Sequence, residues 1–254
     1  MKLSVSDLAY AGFRFHDFCK LDKAYGLEFF YEFGTPAYWD AVLPQMTDQR
    51  HNGISVHGPC VQVNLAAPDE THYLNVFLDT FRYAAKIQAE FVVIHTNEAL
   101  PQEETLETLR LRVWRKLSTL LKISEEAGIP LVIENVGLRP YNNVLFDWEH
   151  FSALKEIFPE AFFLLDTGHA HVNGWNLTEV LREFGPRLLG CHVHDNDGQG
   201  DQHLPVGSGT ISWPGFFSGV KKFAPQARLV LEYASLPTEG MNLHLAGLCK
   251  RYTL

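Results

Sequence analysis

The chain has 254 residues, of which 46% are hydrophobic and 20% charged, the proportions of a folded globular protein rather than a disordered one. A formal net charge of −9 argues against a protein that grips phosphate backbones without specificity. The longest apolar runs are far too short for a membrane span, and the first residues lack an apolar core followed by a cleavage site. A cytoplasmic location is therefore expected, with Cys19, Cys60, Cys191 and Cys249 as reduced thiols.

Eight short β-branched, aromatic or leucine-rich runs predict strands over 2–8, 27–33, 53–57, 91–95, 130–134, 162–166, 188–194 and 229–233. Several are apolar almost throughout, as parallel strands covered on both faces must be. Helical patterns lie between them. The clearest is Leu106, Leu109, Val113, Leu117 and Leu120, with steps of three and four, closed by Gly128 and stopped by Pro130. A second spans 69–89, opened by Pro68-Asp69-Glu70. Weaker patterns cover 15–25, 36–47, 147–157, 177–184, 214–223 and 239–251. Strand then helix, eight times and without a long linker, predicts a single (β/α)8 TIM barrel over 1–254. A doubly wound open sheet is the alternative. The missing G-x-G-x-x-G fingerprint weakens it for a dinucleotide enzyme. The stretch 198–213, rich in Gly, Asp and His, is the longest loop within a strand–helix unit, the kind of loop that often carries function.

Barrel chemistry is done at the C-terminal ends of the strands. The polar residues there are His57 on strand three, His95 on strand four, Glu134 on strand five and Asp166 on strand six, the last followed by His169 and His171. Strand seven carries His192 and His194, then Asp195, and its loop adds Asp197, Asp201 and His203; strand eight carries Glu232. A lone histidine at a strand end is usually a hydrogen-bonded structural residue. Six consecutive strands sending imidazoles and carboxylates to one mouth are another matter, because buried carboxylates without a counter-charge are costly. On this strand assignment only Arg14 and Arg139, of 21 Lys and Arg, lie in the loops of that mouth. A divalent metal is the expected counter-charge, since His, Asp and Glu without Cys form the donor set of Zn, Mn, Co or Mg sites. Glu32, ending strand two, is a further candidate for the mouth, Trp213 for a substrate-pocket wall, and His194, Asp195 and Asp197 for partners that orient ligands. Cys60 lies near the mouth, where packing is its expected role, and His16, His51, His72, His150 and His244 are expected to be structural or at the surface.

The ordered motifs are Val56-His57-Gly58-Pro59 with Asn64-Leu65-Ala66, then Val93-Ile94-His95, then Val132-Ile133-Glu134-Asn135. They continue with Asp166-Thr167-Gly168-His169-Ala170-His171, His192-Val193-His194-Asp195-Asn196-Asp197, Asp201-Gln202-His203-Leu204-Pro205 and Leu231-Glu232. Over nearly the whole chain this series resembles the xylose isomerase-like TIM barrels, a superfamily that includes sugar epimerases, putative sugar phosphate isomerase/epimerases and endonuclease IV. The resemblance implies one to three divalent metal ions. As in endonuclease IV, His57, His95 and Glu134 would hold one; Glu134 would bridge to a second, shared with Asp166, His192 and Glu232; and His169, Asp201 and His203 would hold a third. As in the epimerases, a single metal would sit at Glu134, Asp166, His192 and Glu232, with His169 touching substrate. The resemblance thus implies a metal-dependent isomerase or epimerase of a sugar, sugar phosphate or polyol. Glu134 and Glu232 would be its catalytic acid/base pair, with His169, His203 and Trp213 on the substrate. The alternative is a zinc-dependent phosphodiesterase. The loops after strands two and three, Gly34-Thr35-Pro36-Ala37-Tyr38-Trp39 and Gly58-Pro59-Cys60-Val61-Gln62-Val63, carry no Lys or Arg with which to hold DNA, so a nucleic-acid partner is not expected. A homodimer is the default expectation for assembly.

Overall fold

In the computed structural model, which describes residues 1–11 and 14–254, eight parallel strands close into a barrel in sequence order. They are β1 (Lys2–Ser6), β2 (Gly26–Phe30), β3 (Ile54–His57), β4 (Val92–Ile94), β5 (Leu131–Glu134), β6 (Phe162–Asp166), β7 (Leu188–Val193) and β8 (Arg228–Leu231). β1 pairs with β8 as well as with β2, which abolishes any free sheet edge. The helices are α1 (Phe15–Phe18), α2 (Pro36–Thr47), α3 (His72–Lys86), α4 (Leu106–Ala127), α5 (Trp148–Ile157), α6 (Thr167–Val172), α7 (Leu177–Phe184), α8 (Trp213–Phe223) and α9 (Thr238–Tyr252). None is long and apolar enough to cross a membrane, and all four cysteines are free.

Local chemistry sets the boundaries. α4 begins where Thr105 accepts a hydrogen bond from the Thr108 N–H and ends at Gly128, whose φ of +68° is the left-handed geometry glycine adopts without penalty. Leu109, Val113, Leu117 and Leu120 are buried against the barrel, each worth about 1.5–3 kcal/mol. Leu106, the first residue of the predicted stripe, is instead exposed in the opening turn. Two predicted strands give way to 3-10 turns at their C-terminal ends. β1 gives way after Ser6, whose hydroxyl accepts from the Leu8 N–H and starts a 3-10 turn. β2 stops at Phe30, and 31–33, with Glu32, form another such turn. α6 lies outside the predicted helical patterns; the Asp166 carboxylate caps it by accepting from the His169 N–H at 2.7 Å.

Alternation along the strands divides the side chains into two sets. Leu131, Ile133, Phe163, Leu165, Leu229 and Leu231 face the helices, within the large outer core. Val93, Val132 and Leu164, with Phe91, form a separate cluster, which the alternation turns inward. At the N-terminal end of the strands the buried Arg228 pairs with Glu90, its Nη2 lying 2.6 Å from Oε1. Arg228 passes so close to Gly26 that a Cβ there would lie 2.4 Å from Nη1. The same alternation, continued toward the C-terminal ends, turns His57, Glu134, Asp166, His192 and Glu232 toward the axis.

Candidate metal centre

The first group of donors converges on His192. Its Nδ1 lies 3.4 Å from Glu134 Oε2, 3.5 Å from Glu232 Oε2 and 3.8 Å from Asp166 Oδ2. His192 Nδ1 and Glu232 Oε1 are both buried and have no hydrogen-bond partner. Buried polar atoms are seldom left so. Three carboxylates within 4 Å of one imidazole nitrogen make a donor set that suits a divalent cation once that nitrogen gives up its proton. Glu134 also reaches a second group: its Oε2 is 3.1 Å from His95 Nε2 and 3.7 Å from His57 Nε2. In a third, Asp201 Oδ2 lies 3.2 Å from His169 Nε2 and 3.0 Å from His203 Nε2. The three sets implied by the resemblance are thus brought together in one pocket, with Glu134 common to two of them.

Each imidazole is held from behind by one nitrogen so that the other faces inward. Nδ1 donates to the Gly58 carbonyl in His57 (2.9 Å), to the Asn135 carbonyl in His169 (3.1 Å) and to the Glu232 carbonyl in His203 (2.8 Å). His95 Nδ1 donates to the Glu98 carboxylate at 2.5 Å. His192 is held the other way round, its Nε2 donating to Glu28 at 2.7 Å. Such outer partners select the tautomer and aim of a metal-binding histidine.

Without a cation the electrostatics are strained. Burial opposes ionisation of Glu134, but His95 and His192 outweigh it and hold the carboxyl well below its ordinary range. Burial pushes Glu232 up, and the Glu134 and Asp166 carboxylates add to the rise against the pull of His192 and His203. Desolvation works against a charged His95, yet Glu134 and Glu98 raise it to about 10. His203 rises to about 9, its desolvation outweighed by Asp201 and Glu232. His57 goes the other way, lowered to about 4 by burial and by His95.

His57, His95, Glu134, His169, Asp201, His203 and Glu232 line a cavity of about 340 Å³ at the C-terminal mouth, together with Leu8, Phe30, Phe33, Val136 and Leu138, while Asp166 and His192 are buried behind them. Among the described residues no Lys or Arg lines it. Arg14 pairs with Asp17, and Arg139 is exposed. Larger grooves of about 650 and 730 Å³ open at the other end of the strands. In the second, Lys86 is spent on Asp40 and Arg50 on backbone carbonyls.

Several candidates stand differently from expectation. Trp213 does not line the cavity. It is buried at the start of α8, packs on Phe216 and Phe217, and donates Nε1–H to Asp195 at 2.7 Å, because the long loop folds back over it. Asp195 touches none of the donor atoms; its carboxylate accepts from the Asn196, Gly207 and Ile211 N–H groups and so organises that loop. Asp197 closes the same loop on Gln202. Glu32 does reach the mouth, but its oxygens accept from the N–H groups of Cys60, Val61 and Gln62 and from the Cys60 thiol, pinning the loop after β3. His194 Nε2 donates to both oxygens of Asp166, at 3.1 and 2.9 Å, and its ring stacks on His203 at 3.9 Å. Its Nε2 also lies 3.9 Å from Asp201 Oδ1, so His194 borders the Asp201–His203 group as well as holding Asp166. The sequence reading missed Glu28, Ser55 and Glu98. A glutamate within the apolar run Leu27-Glu28-Phe29-Phe30 of a covered strand was the available signal, because such a charge needs an inward partner.

The profile of the family described as xylose isomerase-like TIM barrel matches residues 8–247. The protein MJ1614 of Methanocaldococcus jannaschii is 27% identical over 188 residues, spanning 72% of this chain and 71% of that one. A D-tagatose 3-epimerase-like protein superposes with a TM-score of 0.78 at 21% identity, covering 100% of this chain and 97% of its own. The IolI protein, solved with a bound zinc atom, superposes with a TM-score of 0.78 at 18% identity, covering 100% and 96%. At these identities the two structures speak to the fold.

Proposed function

The chain belongs to the xylose isomerase-like TIM barrel family, and from that premise we propose that it is a divalent-metal-dependent isomerase or epimerase of a sugar or polyol. The observation that carries the reading is the unpartnered, buried His192 Nδ1 within 4 Å of Glu134, Asp166 and Glu232, two of which, Glu134 and Glu232, line a cavity that among the described residues has no Lys or Arg. Those four residues would hold the ion, which when bound supplies Lewis-acid polarisation of the substrate carbonyl and a neighbouring hydroxyl. Glu134 and Glu232 flank the same histidine. One removes the proton α to the carbonyl, and the other returns it, from the opposite face in an epimerisation. His169 and His203, whose Nε2 atoms face the cavity, hydrogen-bond substrate oxygens. Among the described residues the cavity offers no Lys or Arg for a phosphate, which favours an unphosphorylated substrate.

The test is a panel of ketoses, aldoses and polyols with metal-loaded protein in deuterium oxide. Deuterium is expected at the carbon α to the carbonyl in both substrate and product. Replacing Glu134 or Glu232 by Gln should abolish turnover, by about 10²–10⁴-fold or more, with the fold retained in circular dichroism. Near wild-type turnover in either variant would falsify the two-glutamate scheme.

The second and third donor groups favour one other reading, a zinc-dependent phosphodiesterase of the endonuclease IV kind. It expects about three zinc ions per chain and cleavage of abasic-site DNA with a steep salt dependence. The isomerase reading expects one tightly held ion and no cleavage by fully loaded protein.

A further inference from the structure

We propose that Glu28, backed by Ser55, is a positioning residue of the metal centre, holding His192 so that its Nδ1 lone pair faces the ion. The inference rests on the metal-dependent reading above and goes beyond its ligand set.

Glu28 lies in the middle of β2, fully buried, beside Ser55 of β3 in the strand register. Both its oxygens are used. Oε1 accepts from His192 Nε2 at 2.7 Å, and Oε2 accepts from the Ser55 hydroxyl at 2.7 Å. An ionised carboxylate in a dry barrel is costly, and a side chain that merely filled this space would do better as an amide or an aliphatic group. Among the described residues no Lys or Arg offsets the charge, and the partner that does so is His192 itself, whose imidazole, against the cost of burial, holds the Glu28 carboxyl below its ordinary range. The buried Arg228 is spent on Glu90, Ser4 and the Asn52 carbonyl at the barrel's other end. Glu28 does one thing an apolar residue cannot. It accepts the Nε2 proton of His192 and so fixes the ring with Nδ1 aimed at the gap between Glu134, Asp166 and Glu232, the atom free to bind an ion once its own proton is lost. Its negative charge also makes the imidazole a stronger donor, and adds a fourth carboxylate to a centre that must then hold a cation.

Two variants separate positioning from packing. Glu28→Gln keeps the shape and still accepts from Nε2, but removes the charge. Glu28→Ala removes the hydrogen bond as well. Zinc affinity would be measured by competition with a chromophoric chelator, alongside thermal unfolding of the metal-free proteins. The expected result is a dissociation constant raised about 10-fold in Glu28→Gln and toward about 100-fold in Glu28→Ala. The metal-free melting temperature should fall less in Glu28→Gln than in Glu28→Ala, since the amide keeps the hydrogen bond to Nε2 and opens no cavity. Wild-type affinity in both variants overturns the assignment while leaving the metal-dependent reading intact. A Glu28→Gln protein that loses as much metal-free stability as Glu28→Ala, along with affinity, also overturns it, because that is the mark of a structural residue. Wild-type protein that takes up no zinc overturns both the reading and the assignment.

Discussion

At the level of single residues the centre is built from histidines that each spend one nitrogen on a fixed partner and offer the other to the pocket. This has a consequence for pH. His95 and His203, raised to about 10 and about 9, are protonated in the metal-free fold at neutral pH. Because these pKa values lie above the unfolded value, the stabilisation from their carboxylate partners is complete below about pH 6.5 and is lost as pH rises through 9 to 10. A cation needs both imidazoles unprotonated, so ions in the second and third groups should bind more tightly as pH climbs from 7 to 9, releasing protons. Calorimetry in buffers of different ionisation enthalpy measures that release; a flat affinity with no proton release would contradict it. Gly168 is a second residue-level constraint. A Cβ there would lie 2.0 Å from His194 Cε1. Gly168→Ala should push His194 off Asp166, cost about 1–3 kcal/mol in denaturant unfolding and weaken metal binding about 10–100-fold. An alanine variant with unchanged affinity would mean the Asp166–His194 contact is dispensable.

Among the elements, the loops after the strands matter more than the strands themselves. The strand ends deliver His57, Glu134, Asp166 and His192 directly, because they follow the inward alternation. Asp201 and His203 come instead from the long loop between β7 and α8, where His203 sits at a φ of +46°, a strained value for a residue with a side chain. What holds that loop is Asp195, which accepts from three backbone N–H groups and the Trp213 indole. Asp195→Ala leaves those donors unsatisfied and should cost at least about 2 kcal/mol. It should also loosen the Asp201–His203 group while sparing the four donors around His192. Metal content per chain is the readout, and equal loss from both groups would show that the loop is not a separate unit. Periodicity alone did not reveal this hub: Asp195 and Trp213 are 18 residues apart, and a residue ending a loop beside a polar cluster reads equally well as a pocket wall. α6 was missed for a related reason, since Asp166-Thr167-Gly168-His169 is too short and glycine-containing to register as a helix.

Across the whole molecule, a ring of parallel strands places one charged layer at the mouth over an apolar layer that includes Val93, Val132 and Leu164, with Arg228 and Glu90 closing the far end. The mouth holds carboxylates and imidazoles but, among the described residues, no lining Lys or Arg. Metal loading should therefore stabilise the entire barrel. At about 100 times the dissociation constant the gain is about 2.7 kcal/mol, or roughly 5–10 °C in Tm, and a chelator should reverse it. No shift in calorimetric Tm on adding or stripping metal would argue against a site of useful affinity. The eight strands, their order, the parallel barrel and the inward residues at the strand ends were legible in the chain itself. The two spacings behind them, two residues in strands and 3.6 in helices, are local properties of the backbone. The retreat of Trp213 into the core, the diversion of Glu32 to a loop and the buttress of Glu28 and Ser55 behind His192 were not. Each depends on which distant segments come within about 3 Å, and Glu28 and His192 lie 164 positions apart. Contacts at such separations are set by how the closed barrel brings β2 and β7 across its axis, and no pattern within one stretch of sequence carries that information.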